Sequence, residues 1–342
     1  MGKAISDLRV IFFSLSDPYG LCSSYRRAAD AMGLRYQFFD YEKVLTRYTP
    51  LGKVGRKIAQ HIHVDSVNHK LNREFVVSVK DYKPDAIFFF TNAPVASGAL
   101  IFIKSILPEC RLILVWPDSL LNIQWGTFNN LSLFDGIASY SSSFLPVLQK
   151  ITSSKAMFIP LAGDLALHGM EPTSADKVDI GFVGGWRPER QKRLELLCEV
   201  FPESRFEIHG VRWKENCSKS NLKSKIKGTG LHGPVMAQFF NSTTLNLNII
   251  DDTNYPAANM RFFEIPAAGG LELVSSCPEM ESYFIDGQDL FYFQTDDEMI
   301  EKAKLIFHQP ELQMPVKWNG YTKIKEQHHY GIRLQTILNQ WI

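Results

Sequence analysis

The sequence predicts an α/β chain with two parallel sheets in tandem, on three observations. Strand-length apolar runs recur along it with helix-length segments between them. The alternation breaks once, at a polar stretch, and then restarts. At roughly 100 to 200 residues per domain, 342 residues suit two domains rather than one or three.

In chain order the strand candidates are LRVIFFSLS (8–16), YQFFDY (36–41), DAIFFFTN (85–92), RLILVWPD (111–118), DGIASYS (135–141) and AMFIPL (156–161). Each is apolar and strand-sized, and each ends in a polar, Gly- or Pro-marked turn. SYRRAADAMG (24–33) and the long stretch 54–82 are helix-length connections, so the strands pair in parallel through right-handed crossovers. The polar segment HGMEPTSADKVD (168–179) interrupts the pattern, which resumes with IGFVGG (180–185), RFEIHG (205–210), TLNLNII (244–250), GLELVSS (270–276) and LFYFQT (290–295). The expectation is two Rossmann-like domains, 1–168 and 178–320, with a ligand cleft between strand ends. A terminal helix within 321–342, with its periodicity at Ile332, Thr336, Ile337 and Leu338, is expected to pack back on the first domain.

Composition narrows the function. Hydrophobic residues make up 45% and charged residues 21% of the chain, which excludes disorder, collagen and coiled coil. The longest apolar runs, at 86–90 and 111–116, fall far short of the roughly 18 residues of a membrane span. A net charge of +1 lacks the electrostatic footprint of a nucleic-acid binder. Five scattered cysteines (Cys22, Cys110, Cys198, Cys217, Cys277) form neither a disulfide framework nor a zinc pattern and fit a reducing cytoplasm. MGKAIS matches the short pattern for myristoylation at Gly2; an ordinary start before the first strand is the favoured reading.

Two stretches carry chemistry. In IGFVGGWRPERQKRLELL (180–197) a buried strand runs into Gly184 and Gly185 and then into a helix starting at Pro188, a residue suited to the first helical position. The glycines allow close backbone approach, the helix start offers free amides to an anion, and Arg187 and Arg190 can both reach that end. Two charge-assisted hydrogen bonds at about 1.5–3 kcal/mol each would hold a phosphorylated ligand at millimolar affinity or tighter. The competing reading is a glycine turn with solvated arginines. In DDTNYPAANMRFFEIPAAGGLELVSS (251–276) a helix is expected over Asn259 to Ala268, with Ala258, Phe262, Ile265 and Gly269 on its apolar side and Arg261 and Glu264 one turn apart on another. The carboxylate can accept both hydroxyls of a ribose and the arginine can clamp a phosphate; a plain surface ion pair is the alternative.

Taken together, FIPLAGD (158–164) with His168, DIGFVGGWRPER, FEIHG, LHGPV and above all NMRFFEIPAAGG resemble the spore maturation protein CgeB-like glycosyltransferases. The resemblance runs through VNHKLNREFVVSVKDYKPDAIFFF and GQDLFYFQTDDEMIEKAKLIF and covers most of 65–310. It implies a GT-B fold, two facing Rossmann-like domains, and transfer of a sugar from a nucleotide diphosphate donor without a bound metal or other cofactor. It further implies Glu264 at the donor ribose, Arg187 and Arg261 at the diphosphate, and Gly233, Pro234 and Val235 near the base. Trp186, His209, Gly210 and Asn259 in the same strings, with Gly20 in the first domain, complete the expected substrate contacts. One departure bears on stereochemistry. The Glu-x7-Glu motif of many retaining GT-B enzymes would end at Glu264, yet the residue eight positions earlier is Pro256. Glu264 and Glu272 have that spacing by themselves, but Glu272 lies inside a strand. Retention therefore does not follow.

An inverting transfer needs a base for the acceptor hydroxyl. Asp118, closing the fourth strand, is favoured over Asp17, closing the first beside Gly20; the competing role for both is capping of a turn. His61, His63 and His69, and His328 with His329, invite a metal, but no acidic partner spacing accompanies them. From 42 to 80, Lys43, Arg47, Lys53, Arg56, Lys57, Lys70, Arg73 and Lys80 outnumber Glu42, Asp65 and Glu74. A solvated helix face explains this most simply; an anionic acceptor or peripheral contact with an anionic membrane surface is the second reading. The sequence thus supports a metal-independent glycosyltransferase with a nucleotide-sugar donor and an acceptor that is a glycan, lipid-linked or protein. A nucleotide-sugar epimerase or hydrolase, or a non-catalytic nucleotide-sugar-binding protein, are the rivals.

Overall fold

A computed structural model describes residues 4–49, 52, 65–174 and 177–342. Gly2, His61 and His63, with Lys53, Arg56 and Lys57 of the basic segment, lie outside the described residues. The chain divides into two compact units, Met1–Pro160 with Tyr330–Ile342, and Leu161–His329.

The first unit runs β1 (Arg9–Ser14), α1 (Leu21–Ala31), β2 (Arg35–Asp40), α2 (Tyr41–Tyr48), α3 (Asp65–Tyr82), β3 (Ala86–Phe90), α4 (Ser97–Ile106), β4 (Arg111–Trp116), α5 (Trp125–Asn130), β5 (Gly136–Ser139), α6 (Leu145–Ile151) and β6 (Lys155–Phe158). All neighbouring pairs are parallel, in the order β2-β1-β3-β4-β5-β6. A parallel sheet is covered on both faces, so its central strands read as unbroken apolar runs. β3 is buried at every position, whereas the edge strands β2 and β6 are only partly so. Phe13 packs edge-on against Phe75 of α3, ring centroids 4.5 Å apart, on one face. Tyr25 of α1 packs against Phe90 on the other.

The second unit runs α7 (Leu165–His168), β7 (Val178–Val183), α8 (Pro188–Val200), β8 (Phe206–His209), α9 (Trp213–Asn216), β9 (Ile226–Gly228), α10 (Gly233–Asn241), β10 (Thr243–Asn248), α11 (Arg261–Ala267), β11 (Glu272–Ser275), β12 (Phe291–Phe293), α12 (Asp296–His308) and α13 (Gln313–Gln327). Its sheet, again all parallel, has the order β12-β11-β10-β7-β8-β9, the doubly wound order of dinucleotide-binding sheets. β9, three residues long, carries too little apolar sequence to be read as a strand in advance. No helix among the described residues is long and apolar enough to cross a membrane.

The units divide at Pro160/Leu161, ahead of the polar segment 168–179. The residues just past that division join the second unit, because α7 packs against α10 and α11 and the Met170 amide donates to Ala267 O at 3.2 Å. The tail is likewise not one helix. α13 remains with the second unit, packed on α11, and α14 (Tyr330–Trp341) clusters with the first. Its buried stripe is Tyr330, Arg333, Leu334, Ile337, Leu338 and Trp341. Thr336, counted in the apolar periodicity above, is exposed and its hydroxyl donates back to Ile332 O. Tyr330 meets Tyr25 at 5.2 Å between ring centroids, Arg333 Nε donates to Pro160 O at 3.0 Å, and the Trp341 ring lies flush on Gly136, where a Cβ would stand 2.3 Å from Cε2.

That last contact ties α14 to β5. Trp341→Ala should lower unfolding stability by about 3–5 kcal/mol, and Gly136→Ala should clash with the indole and destabilise in the same direction. Urea unfolding followed by far-UV circular dichroism checks both, and an unchanged midpoint for Trp341→Ala would contradict the contact.

Candidate active site

In the second sheet the chain winds outward from β7 to β8 and β9, then returns to β10 on the other side of β7. Helices leave β7 and β10 on opposite faces, so their carboxyl ends border the crevice where doubly wound sheets bind ligands. The β7–α8 turn (Gly184–Arg187), the end of β10 (Ile249–Asp251) and α11 all meet there.

Asp251 organises this point. Its Oδ2 takes Arg190 Nη2 at 3.0 Å and Arg187 Nε at 3.3 Å. Its Oδ1 accepts from the Thr253 hydroxyl at 2.5 Å and Asn254 Nδ2 at 2.9 Å. Burial works to raise the Asp251 pKa, but these hydrogen bonds and the two guanidinium charges prevail and hold it below the ordinary carboxylate value. Arg190 also donates to Gly185 O at 2.9 Å and Ile249 O at 3.4 Å, lacing the β7 turn to the end of β10. Burial lowers its pKa against the pull of Asp251, and the charges of Arg187 and Arg261 push the same way as burial. With Arg187 and Arg190 on Asp251, and Arg190 and Arg261 bonded to the carbonyls of Gly185 and Val183 on the same strand end, three guanidinium groups share one neighbourhood. They differ in availability: the Arg190 side chain is 13% exposed and Arg187 42%. Arg190 is therefore a staple, and Arg187 is the cation that can turn to a ligand.

Arg261 forms an ion pair with Glu264 across one turn of α11 and donates from Nε to Val183 O at 3.2 Å. Glu264 is buried. Asn259 lies ahead of α11 rather than within it, and its Oδ1 accepts from Phe262 N at 3.1 Å. Its amide makes a reciprocal pair with Asn248 of β10, at 2.8 and 3.0 Å, and Asn248 Nδ2 reaches Glu272 Oε1 at 2.8 Å. A line of three side chains thus fastens the start of α11, and with it Arg261 and Glu264, to the middle of the sheet. Complete burial pushes the Glu272 carboxyl well above its ordinary value.

The glycines divide by role. A Cβ on Gly210 would lie 1.9 Å from Gly184 O, so Gly210 lets the β8 end press on the β7 turn. Trp213 Nε1 donates to that same carbonyl at 2.7 Å. Gly184 would crowd Phe182 while Gly185 faces more open space. Trp186 is held by its indole N–H to Gln191 Oε1 at 2.7 Å. The His209 side chain turns aside, 3.2 Å from Glu207 and edge-on to Phe239, while its carbonyl accepts from Gly184 N. Gly233, Pro234 and Val235 make the first turn of α10, with Gly233 at φ +57° and Val235 well exposed. α10 packs on α11, its Phe240 ring 6.0 Å from the Arg261 guanidinium.

In the first unit the sheet order reverses between β1 and β3. Asp17 and Gly20 follow β1, and Asp118 follows β4 one strand further on. Both carboxylates hold turns: Asp17 Oδ1 accepts from Tyr19 N at 3.0 Å, and Asp118 accepts from Ser119 N at 2.7 Å and from the Asn122 amide at 2.9 Å on each oxygen. The arrangement brings together Gly184, Gly185, Trp186, Arg187, Arg190, Gly210, Arg261 and Glu264, with Asn259 behind them. Sequence reasoning passed over Asp251 and Asn248; an acid immediately after a strand at the reversal of sheet order was the available signal. Among the described residues no three His, Cys, Asp or Glu side chains converge as metal ligands.

Two outcomes follow. Asp251→Asn leaves Arg190 buried without its counter-ion and should cost about 3–5 kcal/mol of stability, measured by chemical denaturation. For Glu272 the folded-state pKa is raised, so its stability contribution is full below the unfolded value near 4.5 and is lost as pH rises towards the folded value. Glu272→Gln should therefore melt higher than the natural protein at pH 8, with the gain shrinking towards pH 4.5; a variant less stable throughout would refute the buried neutral acid.

Residues 190–339 match the family model described as glycosyl transferase-like. No curated protein sequence matches the chain. Among solved structures it is similar to sucrose-phosphate synthase from Thermosynechococcus elongatus (TM-score 0.69, 11% identity, 97% of this chain and 98% of that one). It is also similar to a glycosyltransferase from Rickettsia africae (TM-score 0.66, 11% identity, 97% of each chain), and to Anabaena HepE in complex with UDP and glucose (TM-score 0.63, 13% identity, 97% and 98%). With its two six-stranded parallel sheets, the chain has the α/β fold of the GT-B glycosyltransferases.

Proposed function

We propose that the protein is a metal-independent glycosyltransferase, of the CgeB-like kind, that moves a hexose or related sugar from a nucleoside diphosphate donor to an acceptor in the cytoplasm. The observation that carries this reading is the gathering of Arg187, Arg190 and Arg261 with Asp251 and Glu264 at the reversal of the second sheet. Three guanidinium groups against two carboxylates leave a net positive neighbourhood beside the start of α8, whose first amides have no partner within the helix. The similarity to a glycosyl transferase-like family model over this unit supports it. So does the UDP-glucose held by HepE, a protein of the same fold.

In this reading Arg187 swings from Asp251 to the donor diphosphate and Arg261 holds its other side, so that charge developing on the leaving group meets guanidinium groups instead of a metal ion. Arg190 keeps the turn in shape. Glu264 accepts the ribose hydroxyls with its orientation set by Arg261, and Gly233–Val235 border the base. Trp186, Gly184 and Gly185 line the diphosphate, with His209, Gly210 and Asn259 acting through the backbone that they support. In the first unit Asp118 takes the acceptor proton if the transfer inverts, with Asp17 and Gly20 as the secondary site. The acceptor is a glycan, a lipid-linked sugar or a protein, and the basic segment 42–80 supplies any contact with an anionic membrane surface.

A thermal-shift screen across UDP, GDP and dTDP tests the donor site. The cognate diphosphate at 100 times its dissociation constant should add about 2.7 kcal/mol of stability, with EDTA making no difference. Arg187→Ala should weaken that ligand roughly tenfold to a hundredfold, the worth of one charge-assisted contact. No shift with any nucleotide, or a strict need for a divalent cation, would overturn the reading. Donor consumption without any acceptor would instead favour a hydrolase or epimerase.

A further inference from the structure

The loop after β4 carries an aromatic surface that the donor site does not use. Trp125 is 75% exposed, Phe128 39% and Leu121 89%, within eight residues of chain. Trp125 and Phe128 are three apart on α5 and stack, centroids 5.9 Å apart and planes at 17°. Single exposed apolar side chains are ordinary, but a group of them marks a contact surface. This one is also rigidly mounted. Asn122 is tied to both Asp118 oxygens, Asn92 accepts from Gln124 N at 2.8 Å and donates to Asn122 O at 2.9 Å, and buried Asn130 donates to Val95 O at 2.8 Å. A surface fixed at both ends of its helix loses little freedom when a partner settles on it.

The surrounding chemistry selects the partner. From Pro117 to Phe134 the one ionisable side chain is Asp118, so this stretch offers no lysine or arginine to a phosphate headgroup. The exposed neighbours are instead the amides of Asn122, Gln124 and Asn129, which donate and accept without charge. The exposed Trp125 indole, backed by the stacked Phe128 ring and with neutral amides and a carboxylate on the same loop, matches a pyranose ring: its axial C–H groups cover the indole while its hydroxyls reach the amides. Building on the glycosyl-transfer reading above, we propose that Trp125 and Phe128 form the acceptor platform and that the acceptor presents an uncharged sugar there, with Asp118 at the edge of the platform.

Saturation-transfer NMR on the full chain with maltose, cellobiose, N,N′-diacetylchitobiose and α-mannobiose reads this directly. At least one disaccharide should bind the natural protein at millimolar concentration, and Trp125→Ala should weaken it at least about tenfold, roughly one factor of 1.4 kcal/mol, while Trp125→Phe retains part of the affinity. The UDP thermal shift, recorded on the same variants, should be unaltered. Its absence from every variant and the natural protein would sink the donor reading and leave the sugar result standing by itself. Three results would overturn the platform: no disaccharide binds, Trp125→Ala binds as well as the natural protein, or Trp125→Ala abolishes instead either co-sedimentation with phosphatidylcholine–phosphatidylglycerol vesicles or self-association in sedimentation velocity.

Discussion

One buried carboxylate holds the candidate site together. Asp251 stands at the end of β10, where the winding of the sheet reverses, and binds two guanidinium groups that arrive from the far side of the crevice. An ion pair removed from water contributes little net stability, because desolvation offsets most of the attraction. Its effect is on geometry. With Arg190 tied to Asp251 and to the carbonyls of Gly185 and Ile249, the turn after β7 cannot drift from β10, and Arg187 stays within reach of both its carboxylate and any incoming anion. The same carboxylate therefore both orders the loop and holds Arg187.

A second constraint acts from below. The Glu272, Asn248 and Asn259 line anchors α11 to the sheet through neutral hydrogen bonds, and α11 carries Arg261 back to the Val183 carbonyl on β7. Arg261 and Arg190 thus approach the same strand end from two helices, each fastened independently. Two separate anchorages hold the two guanidinium groups in place.

Both sheets and most of their strands were legible in the sequence because parallel strands buried on two faces leave unbroken apolar runs such as AIFFF and RLILVW. β9 was not, since three residues at an edge need little apolar content. In the tail, a terminal helix on the first unit was legible from Ile337 and Leu338, but not where it starts, because Tyr330, Arg333 and Trp341 are amphipathic side chains that periodicity in Ile, Leu and Thr does not register. At the candidate site Arg187, Arg190, Arg261 and Glu264 were legible from type and spacing. Their division of labour was not. Whether an arginine is a buried staple or a more exposed, singly held cation depends on carbonyls and on an aspartate sixty residues away in the chain, and only the folded backbone brings those together. Asp17 and Asp118 each hold their own turn, a contact that a strand-end aspartate makes whatever else it does.

The seating of α14 on β5 and α1 bears on biosynthesis. The indole that lies flush on Gly136 belongs to Trp341, a residue made only after the entire second unit has been synthesised. At about 5–20 residues per second, the N-terminal sheet waits on the order of ten seconds or more with its Tyr25 and Gly136 surfaces bare. α14 therefore acts as a clasp that completes the first unit only after the second has been synthesised.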